Sequence, residues 1–205
     1  MLGLLTQNPI AFLLFAVGIV VAISVHEFFH AFVADKLGDP TPRIQGRVTL
    51  DPRAHLDPIG TLALLLVGFG WGRPVQFDPY NLKNPVRDTA LIALAGPASN
   101  IVIALILAVL VRLINADWLI LSLSFIIQIN ITLAIFNLVP VYPLDGSKII
   151  LPLLPEQAAY EYENFMQRYG LFVLLILILP IAGGVSPISQ LISPIISAIT
   201  TLLLG

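Results

Sequence analysis

The sequence predicts an all-α polytopic membrane protein of about five to six membrane segments. Only 11% of its 205 residues are charged and 58% are hydrophobic, whereas a soluble domain has about 25% charged residues. Several apolar runs reach the length of about 20 residues that a helix needs to span a bilayer. In lipid such runs form helices, because a helix satisfies its own backbone hydrogen bonds. The connections are too short to fold separately, so residues 1–205 are predicted to form a single domain.

Composition also excludes several classes of partner and site. The formal charge of −2 is too small to suggest that the chain binds nucleic acid. The absence of cysteine rules out disulfides and thiolate metal sites. Because no Lys or Arg precedes Lys36, the N-terminus lacks the basic region of a signal peptide, and the first apolar segment is expected to stay in the mature protein.

Segment A, Pro9 to Leu37, contains the motif H-E-x-x-H and ends where Gly38-Asp39-Pro40 stops a helix. In a helix, His26 and His30 lie one turn apart on one face and can together hold a divalent metal, typically zinc. Glu27 can accept a proton from water at the metal without being a ligand. A chance match, with two packed histidines, is the alternative. The cost of polar groups in an apolar segment favours a functional site.

The region after segment A predicts a short element that does not cross the membrane. Residues 43–50 could form a strand or hairpin. Segment B, Ile59 to Gly70, is apolar but has only about a dozen residues, and glycines interrupt it. It is therefore predicted to be a re-entrant or β element, and the sequence does not decide between helix and strand.

The remaining segments complete a catalytic core over about residues 9–155 and a C-terminal membrane hairpin over about 156–205. Small residues within Ala95–Asn100 would let another backbone approach closely. In chain order the segments are C (Thr89–Ile114), D (Trp118–Val139), an interfacial helix (Glu156–Arg168) that continues into E (Tyr169–Ala182), and F (Pro187–Leu204).

The distribution of basic residues predicts the topology. If segment B returns to the side from which it entered, nearly all basic residues share one side, and the positive-inside rule makes that side cytoplasmic. These residues are Lys36, Arg43, Arg47, Arg53, Arg73, Lys83, Arg87, Lys148 and Arg168. If segment B spans, the basic residues are split between the two sides.

The same topology supplies a third metal ligand. Catalytic zinc usually has three protein ligands, and His26 and His30 lie about 15 and 9 Å from the cytoplasmic end of segment A. Asp145 is an acidic residue beside a membrane segment on that side and lies in a loop of helix-breaking sequence. With a re-entrant segment B, Asp145 can fold back to the two histidines.

Three motifs in this order resemble the site-2 protease family of intramembrane zinc metalloproteases (peptidase family M50), in a compact form without a PDZ domain. They are H-E-F-F-H at 26–30, A-G-P-A-S-N at 95–100 and N-L-V-P-V-Y-P-L-D-G at 137–146. The resemblance implies one Zn²⁺ per chain with His26, His30 and Asp145 as ligands and Glu27 as the catalytic base. It further implies that Asn137 lies near the substrate or the oxyanion and Asn100 in an important turn. A membrane-re-entrant β element is also implied.

The expected function is cleavage of transmembrane protein substrates in a prokaryotic plasma membrane, with the active site toward the cytoplasm. A substrate could add as a strand to residues 43–50 or 73–77. A metal-handling or transport protein that uses the same His/Asp site is the alternative, as is a non-catalytic scaffold. His55 could be an auxiliary ligand or the cap of a turn. The sequence leaves the oligomeric state open.

Overall fold

A computed structural model describes residues 7–67, 70–180 and 184–205, and all its regular elements in these ranges are helical. The α-helices with bounds inside these ranges are α1 (Pro9–Leu37), α2 (Thr41–Ile44), α3 (Pro58–Val67), α4 (Pro85–Val111), α5 (Asp117–Asn137), α6 (Gly146–Ile149), α7 (Glu156–Ile178) and α8 (Pro187–Leu204). Short 3₁₀ turns occur at Pro52–Ala54, Pro79–Asn81 and Leu151–Leu153.

The long helices follow the predicted apolar segments. Helices α1 and α8 have the predicted bounds, and α7 confirms that the interfacial helix runs on into segment E. Helix α4 begins at Pro85 rather than Thr89, because proline fits the first helical position. In addition, Asp88 Oδ2 accepts a hydrogen bond from the Asn84 amide at 2.9 Å. The predicted end of segment E, Ala182, lies outside the described residues.

The strand predicted for residues 43–50 is wrong. Pro42 starts the short helix α2 instead, and the buried Asp39 carboxylate accepts hydrogen bonds from the Thr41 amide (3.1 Å) and hydroxyl (2.6 Å). Gly46 then reverses the chain with φ +68°, a conformation that glycine adopts without strain. These local hydrogen bonds compete with strand pairing.

The short segment B is a helix rather than a strand over Pro58–Val67. Residues 68 and 69 lie outside the described part of the chain. Glycine allows the chain to fold back closely here, since a Cβ on Gly60 would lie 2.2 Å from the Trp71 carbonyl oxygen. One isolated antiparallel bridge, between Leu56 and Gly72, joins the two sides of this segment.

Helices α1, α4, α5 and α8 are long and apolar enough to cross a membrane, so the fold is that of an integral membrane protein. Helix α1 packs against both α4 and α5 through small side chains. Its Ala22 and Ala31 are fully buried, and a Cβ on Gly18 would lie 3.0 Å from Ile129 Cδ1. Close helix–helix approach through small residues is typical of membrane proteins.

The chain between α1 and α4 begins and ends at one end of the bundle. Asp39, which follows α1, accepts hydrogen bonds from the Asp78 amide at 2.7 Å and from Asn81 Nδ2 at 2.8 Å, just before α4. Helices α1 and α4 are therefore antiparallel neighbours.

The loop after α5 packs against the C-terminal helices α7 and α8. Its buried side chains Val139, Val141 and Leu144 pack against Leu174 of α7, and the same cluster extends into α8. A Cβ on Gly170 of α7 would lie 2.6 Å from Tyr142 Cβ, so α7 touches this loop directly. The packing fixes the segment that leads into Asp145.

Candidate metal centre

One helix and one loop bring the three predicted metal ligands together, because α1 carries both histidines and Asp145 follows α5. His26 Nε2 lies 3.1 Å and His30 Nε2 3.3 Å from Asp145 Oδ2. One potential ligand atom from each of the three side chains lies within 4.8 Å of the other two. The histidines are 4% and 6% exposed, so the group is buried inside the bundle.

The second nitrogen of each imidazole is hydrogen-bonded to α4. His30 Nδ1 lies 2.7 Å from the Ile92 carbonyl oxygen and His26 Nδ1 lies 2.7 Å from Asn100 Oδ1. Because both partners are acceptors, each Nδ1 carries the hydrogen and each Nε2 keeps its lone pair. Such outer hydrogen bonds orient the histidine ligands of metal sites.

Asn100 is itself fixed by a buried amide chain. Its Nδ2 donates to the Ala22 carbonyl oxygen at 3.1 Å and to Asn130 Oδ1 at 2.9 Å, and Asn130 Nδ2 donates to the Ile126 carbonyl oxygen at 2.9 Å. Asn130 was not predicted from the sequence. Its signal is an amide inside an apolar helix, where polar groups need partners.

Gly96 lies directly against both imidazole rings. A Cβ at this position would lie 2.4 Å from His30 Nε2 and 2.6 Å from His26 Nε2. No larger residue fits between α4 and the ligand atoms without moving them. The small residues of 95–100 were predicted to let another backbone approach α4 closely, and one of them, Gly96, lies against the predicted metal ligands themselves.

The three side chains fit zinc. Two imidazole nitrogens and a carboxylate oxygen converge within 4.8 Å of one another, which is the spacing of ligand atoms that could hold one metal ion. Neutral imidazole and carboxylate are donors that zinc accepts, and three protein ligands are the number found in catalytic sites.

Glu27 lies beside this group and points toward a different segment. Its Oε2 accepts a hydrogen bond from the Val75 amide at 3.1 Å and lies 3.9 Å from Arg47 Nη2. The contacts to Arg47 and Val75 were not predicted from the sequence, because both residues reach Glu27 through the irregular chain between α1 and α4.

The other candidate residues lie apart from the ligand group. Asn137, at the end of α5, donates from Nδ2 to the Leu133 carbonyl oxygen at 2.9 Å, one turn back in its own helix. His55 is fully buried and its Nε2 is bonded to the Thr49 carbonyl oxygen at 2.7 Å. Burial lowers the pKa of His55. His55 therefore supports the turn over residues 49–55, and it is not among the three side chains that converge in the ligand group.

A groove of about 600 Å³ begins at Val75, whose amide contacts Glu27. Its walls are mainly apolar and come from residues 75–79, the start of α4 and Leu151. Lys148 and Glu163 provide charged groups at its edge, and Lys148 Nζ lies 5.0 Å from the centre of the Phe77 ring. Val75 therefore belongs both to the lining of the groove and to the surroundings of Glu27.

Two imidazoles, a carboxylate and an adjacent glutamate, buried among membrane-length helices, are features of a membrane metallopeptidase. Comparison with known proteins identifies the protein family. The model of peptidase family M50 matches residues 112–179, which include Asn137 and Asp145. The chain belongs to peptidase family M50 and is a zinc metalloendopeptidase.

The similar curated proteins are named as zinc metalloproteases. The chain is 38% identical to "Putative zinc metalloprotease YwhC" of Bacillus subtilis over 81% of this chain and 80% of that protein. It is 30% identical to "Putative zinc metalloprotease Rip2" of Mycobacterium tuberculosis over 87% of this chain and 73% of that protein. "Zinc metalloprotease MJ0392" of Methanocaldococcus jannaschii is 27% identical over 75% of this chain and 38% of that protein. No solved structure matches.

Proposed function

We propose that the protein is an intramembrane protease that cleaves peptide bonds within or near the transmembrane segments of membrane-protein substrates. The observation that carries this proposal is the position of the His26, His30 and Asp145 group, which is buried among helices long enough to span a bilayer. A protease whose metal ligands lie among membrane-spanning helices has substrates that enter from the membrane.

In this mechanism His26, His30 and Asp145 would hold one Zn²⁺, which would supply Lewis-acid polarisation of the scissile carbonyl and a lowered pKa for bound water. Glu27 accepts the proton of the attacking water and passes it to the leaving amine. Asn137 donates a hydrogen bond to the oxyanion. Its Nδ2 carries two hydrogens, so it can donate to the oxyanion while it stays bonded to the Leu133 carbonyl oxygen at 2.9 Å.

The substrate backbone lies along residues 73–77 in this proposal. A helix must unwind locally before a protease can reach its peptide bonds, and the exposed backbone then needs new hydrogen-bond partners. Residues 73–77 lie outside the regular helices, and strand addition to this segment would supply such partners. The groove that starts at Val75 continues this path away from Glu27.

The membrane topology completes the proposal. The basic residues between α1 and α4 favour a cytoplasmic location for the end of the bundle that carries the site. Helix α3 then enters the membrane only partly, because ten residues extend about 15 Å against a core of about 30 Å. The apolar second half of α7 forms a fifth membrane segment. The location is a prokaryotic plasma membrane.

The test is cleavage of a model transmembrane substrate by the purified, reconstituted chain, with bound zinc measured in the same samples. Glu27→Gln should retain zinc and lose cleavage, because the amide cannot accept the proton. Asp145→Ala should lose both zinc and cleavage. Glu156→Gln makes the same chemical change on the exposed start of α7 and should behave as wild type.

Three results would contradict the proposal. Cleavage by Glu27→Gln at the wild-type rate would exclude Glu27 as the base. Wild-type zinc content in Asp145→Ala would show that the ligand assignment is wrong. If the wild type cuts a water-soluble peptide but never a membrane-inserted one, the protein is a metalloprotease whose substrates lie outside the bilayer.

A further inference from the structure

We propose that Arg47 is a positioning residue for the catalytic glutamate. It joins the Glu27 carboxylate to the backbone of residues 73–75 and so fixes how that carboxylate faces the metal ligands. This inference rests on the role of Glu27 in the proposed function.

Arg47 contacts both Glu27 and the chain segment that is hydrogen-bonded to Glu27. Arg47 Nη2 donates a hydrogen bond to the Arg73 carbonyl oxygen and lies 3.9 Å from Glu27 Oε2. The same Glu27 oxygen accepts the Val75 amide hydrogen at 3.1 Å. One carboxylate oxygen of Glu27 thus has two partners, an ion pair with Arg47 and a hydrogen bond from the Val75 amide, which lies two residues after Arg73.

The segment that Arg47 contacts is anchored at a second point. The Arg73 amide donates to the His55 carbonyl oxygen at 2.7 Å, and the Leu56–Gly72 bridge lies next to it. A Cβ on Gly72 would lie 3.6 Å from Glu27 Oε1 and 2.9 Å from Ile23 Cγ2. Residues 72–75 therefore lie against the base itself, and their position determines the orientation of the carboxylate.

The burial of Arg47 is poorly explained by stability alone. Its side chain is 5% exposed, although arginine is almost never buried without full pairing. Among the described residues its Nε–H is a buried donor without an acceptor. A buried guanidinium that leaves one donor unsatisfied is costly. The geometry instead suits orientation of the carboxylate, because the two hydrogens of Arg47 Nη2 can serve the Arg73 carbonyl oxygen and the Glu27 carboxylate together.

Arg47→Met and Arg47→Lys test the inference in the full chain, with Arg43→Gln as the matched control. Arg43 lies four residues earlier, its side chain is 65% exposed, and it pairs with Asp35 rather than Glu27. Positioning predicts that Arg47→Met lowers kcat by about 10- to 100-fold while KM and zinc content stay at wild-type values. Arg47→Lys should have a kcat between those of Arg47→Met and the wild type, because lysine keeps the positive charge but lacks the planar guanidinium group. Arg43→Gln should keep the wild-type kcat.

A thermal double-mutant cycle provides a readout independent of activity. If Arg47 acts through the Glu27 carboxylate, Arg47→Met should lower Tm more in the wild type than in Glu27→Gln, where no charge is left without its partner. Equal shifts in both backgrounds, a wild-type kcat in Arg47→Met, or loss of zinc in parallel with kcat would each overturn the inference. Activity in Glu27→Gln itself would instead refute the proposed base, so the two failures can be told apart.

Discussion

Replacing Gly96 with alanine would place a methyl group against the nitrogens that are proposed to bind zinc. The new Cβ would lie 2.4 Å from His30 Nε2 and 2.6 Å from His26 Nε2. The shorter distance is about 1 Å below the 3.4 Å at which ordinary van der Waals contact begins. Helix α4 or the imidazoles must therefore move by about that amount.

A shift of this size exceeds what the metal site tolerates. Zinc–nitrogen bonds are about 2.0–2.1 Å long, and a working site keeps its distances within about 0.2 Å. The imidazoles cannot turn freely, since Asn100 and the Ile92 carbonyl hold their other nitrogens. A misplacement of about 1 Å typically costs about 100-fold in activity, or about 2.8 kcal/mol. We expect at least that loss in kcat/KM and a loss of bound zinc.

The assay is zinc content by elemental analysis of the monodisperse purified protein, followed by competition with a chromophoric chelator. Gly18→Ala is the matched control, because it adds the same methyl group to α1 where the nearest atoms are the side-chain tips of Ile129 and Ile126, at 3.0 and 3.4 Å. It should retain zinc. Wild-type zinc affinity in a folded Gly96→Ala protein would refute the close approach of α4 to the ligands.

Three further predictions concern the surroundings of the site. Asn100→Ala should weaken zinc binding by about 10- to 100-fold, because it removes the acceptor for His26 Nδ1; chelator competition measures this, and unchanged affinity would contradict it. His55→Asn should keep one zinc per chain, because Nε2 is bonded to the Thr49 carbonyl oxygen; a loss of zinc without unfolding would make His55 a ligand after all. Asp39→Asn should lower stability by about 1–3 kcal/mol at pH 7, since a buried acceptor of several hydrogen bonds is lost. Burial by itself raises the pKa of Asp39, but hydrogen bonds from Thr41, Asn81 and the Asp78 amide lower it by more. The net pKa of Asp39 is therefore below its ordinary value of 3.8. The stabilisation is therefore complete above that value and disappears as the pH falls through the lowered pKa, so thermal unfolding of the two proteins should converge in acid.

The parts of the site that depend on local spacing could be predicted from the sequence. A four-residue spacing on a helix places His26 and His30 on one face, and the need for a third ligand on the same side selects Asp145. The positions of Arg47 and Val75 could not be predicted in this way. They reach Glu27 through irregular chain whose path depends on distant hydrogen bonds, such as those of Asp39 with Asp78 and Asn81. For the same reason the predicted strand over 43–50 is a helix and turns.

The antiparallel register of α1 and α4 explains why separate motifs form one centre. On α1 the ligands are four residues apart, at 26 and 30. On α4 the residues that face them are also four apart: Ile92, Gly96 and Asn100. Running in opposite directions, the helices pair His26 with Asn100 and His30 with the Ile92 carbonyl, and Gly96 lies between the pairs. A shift of one residue would rotate α4 by about 100° and break all three contacts. The stretch from Ile92 to Asn100, which includes the motif at 95–100, thus acts as the template that orients the histidines, and Asp145 completes the ligand set from the loop after α5.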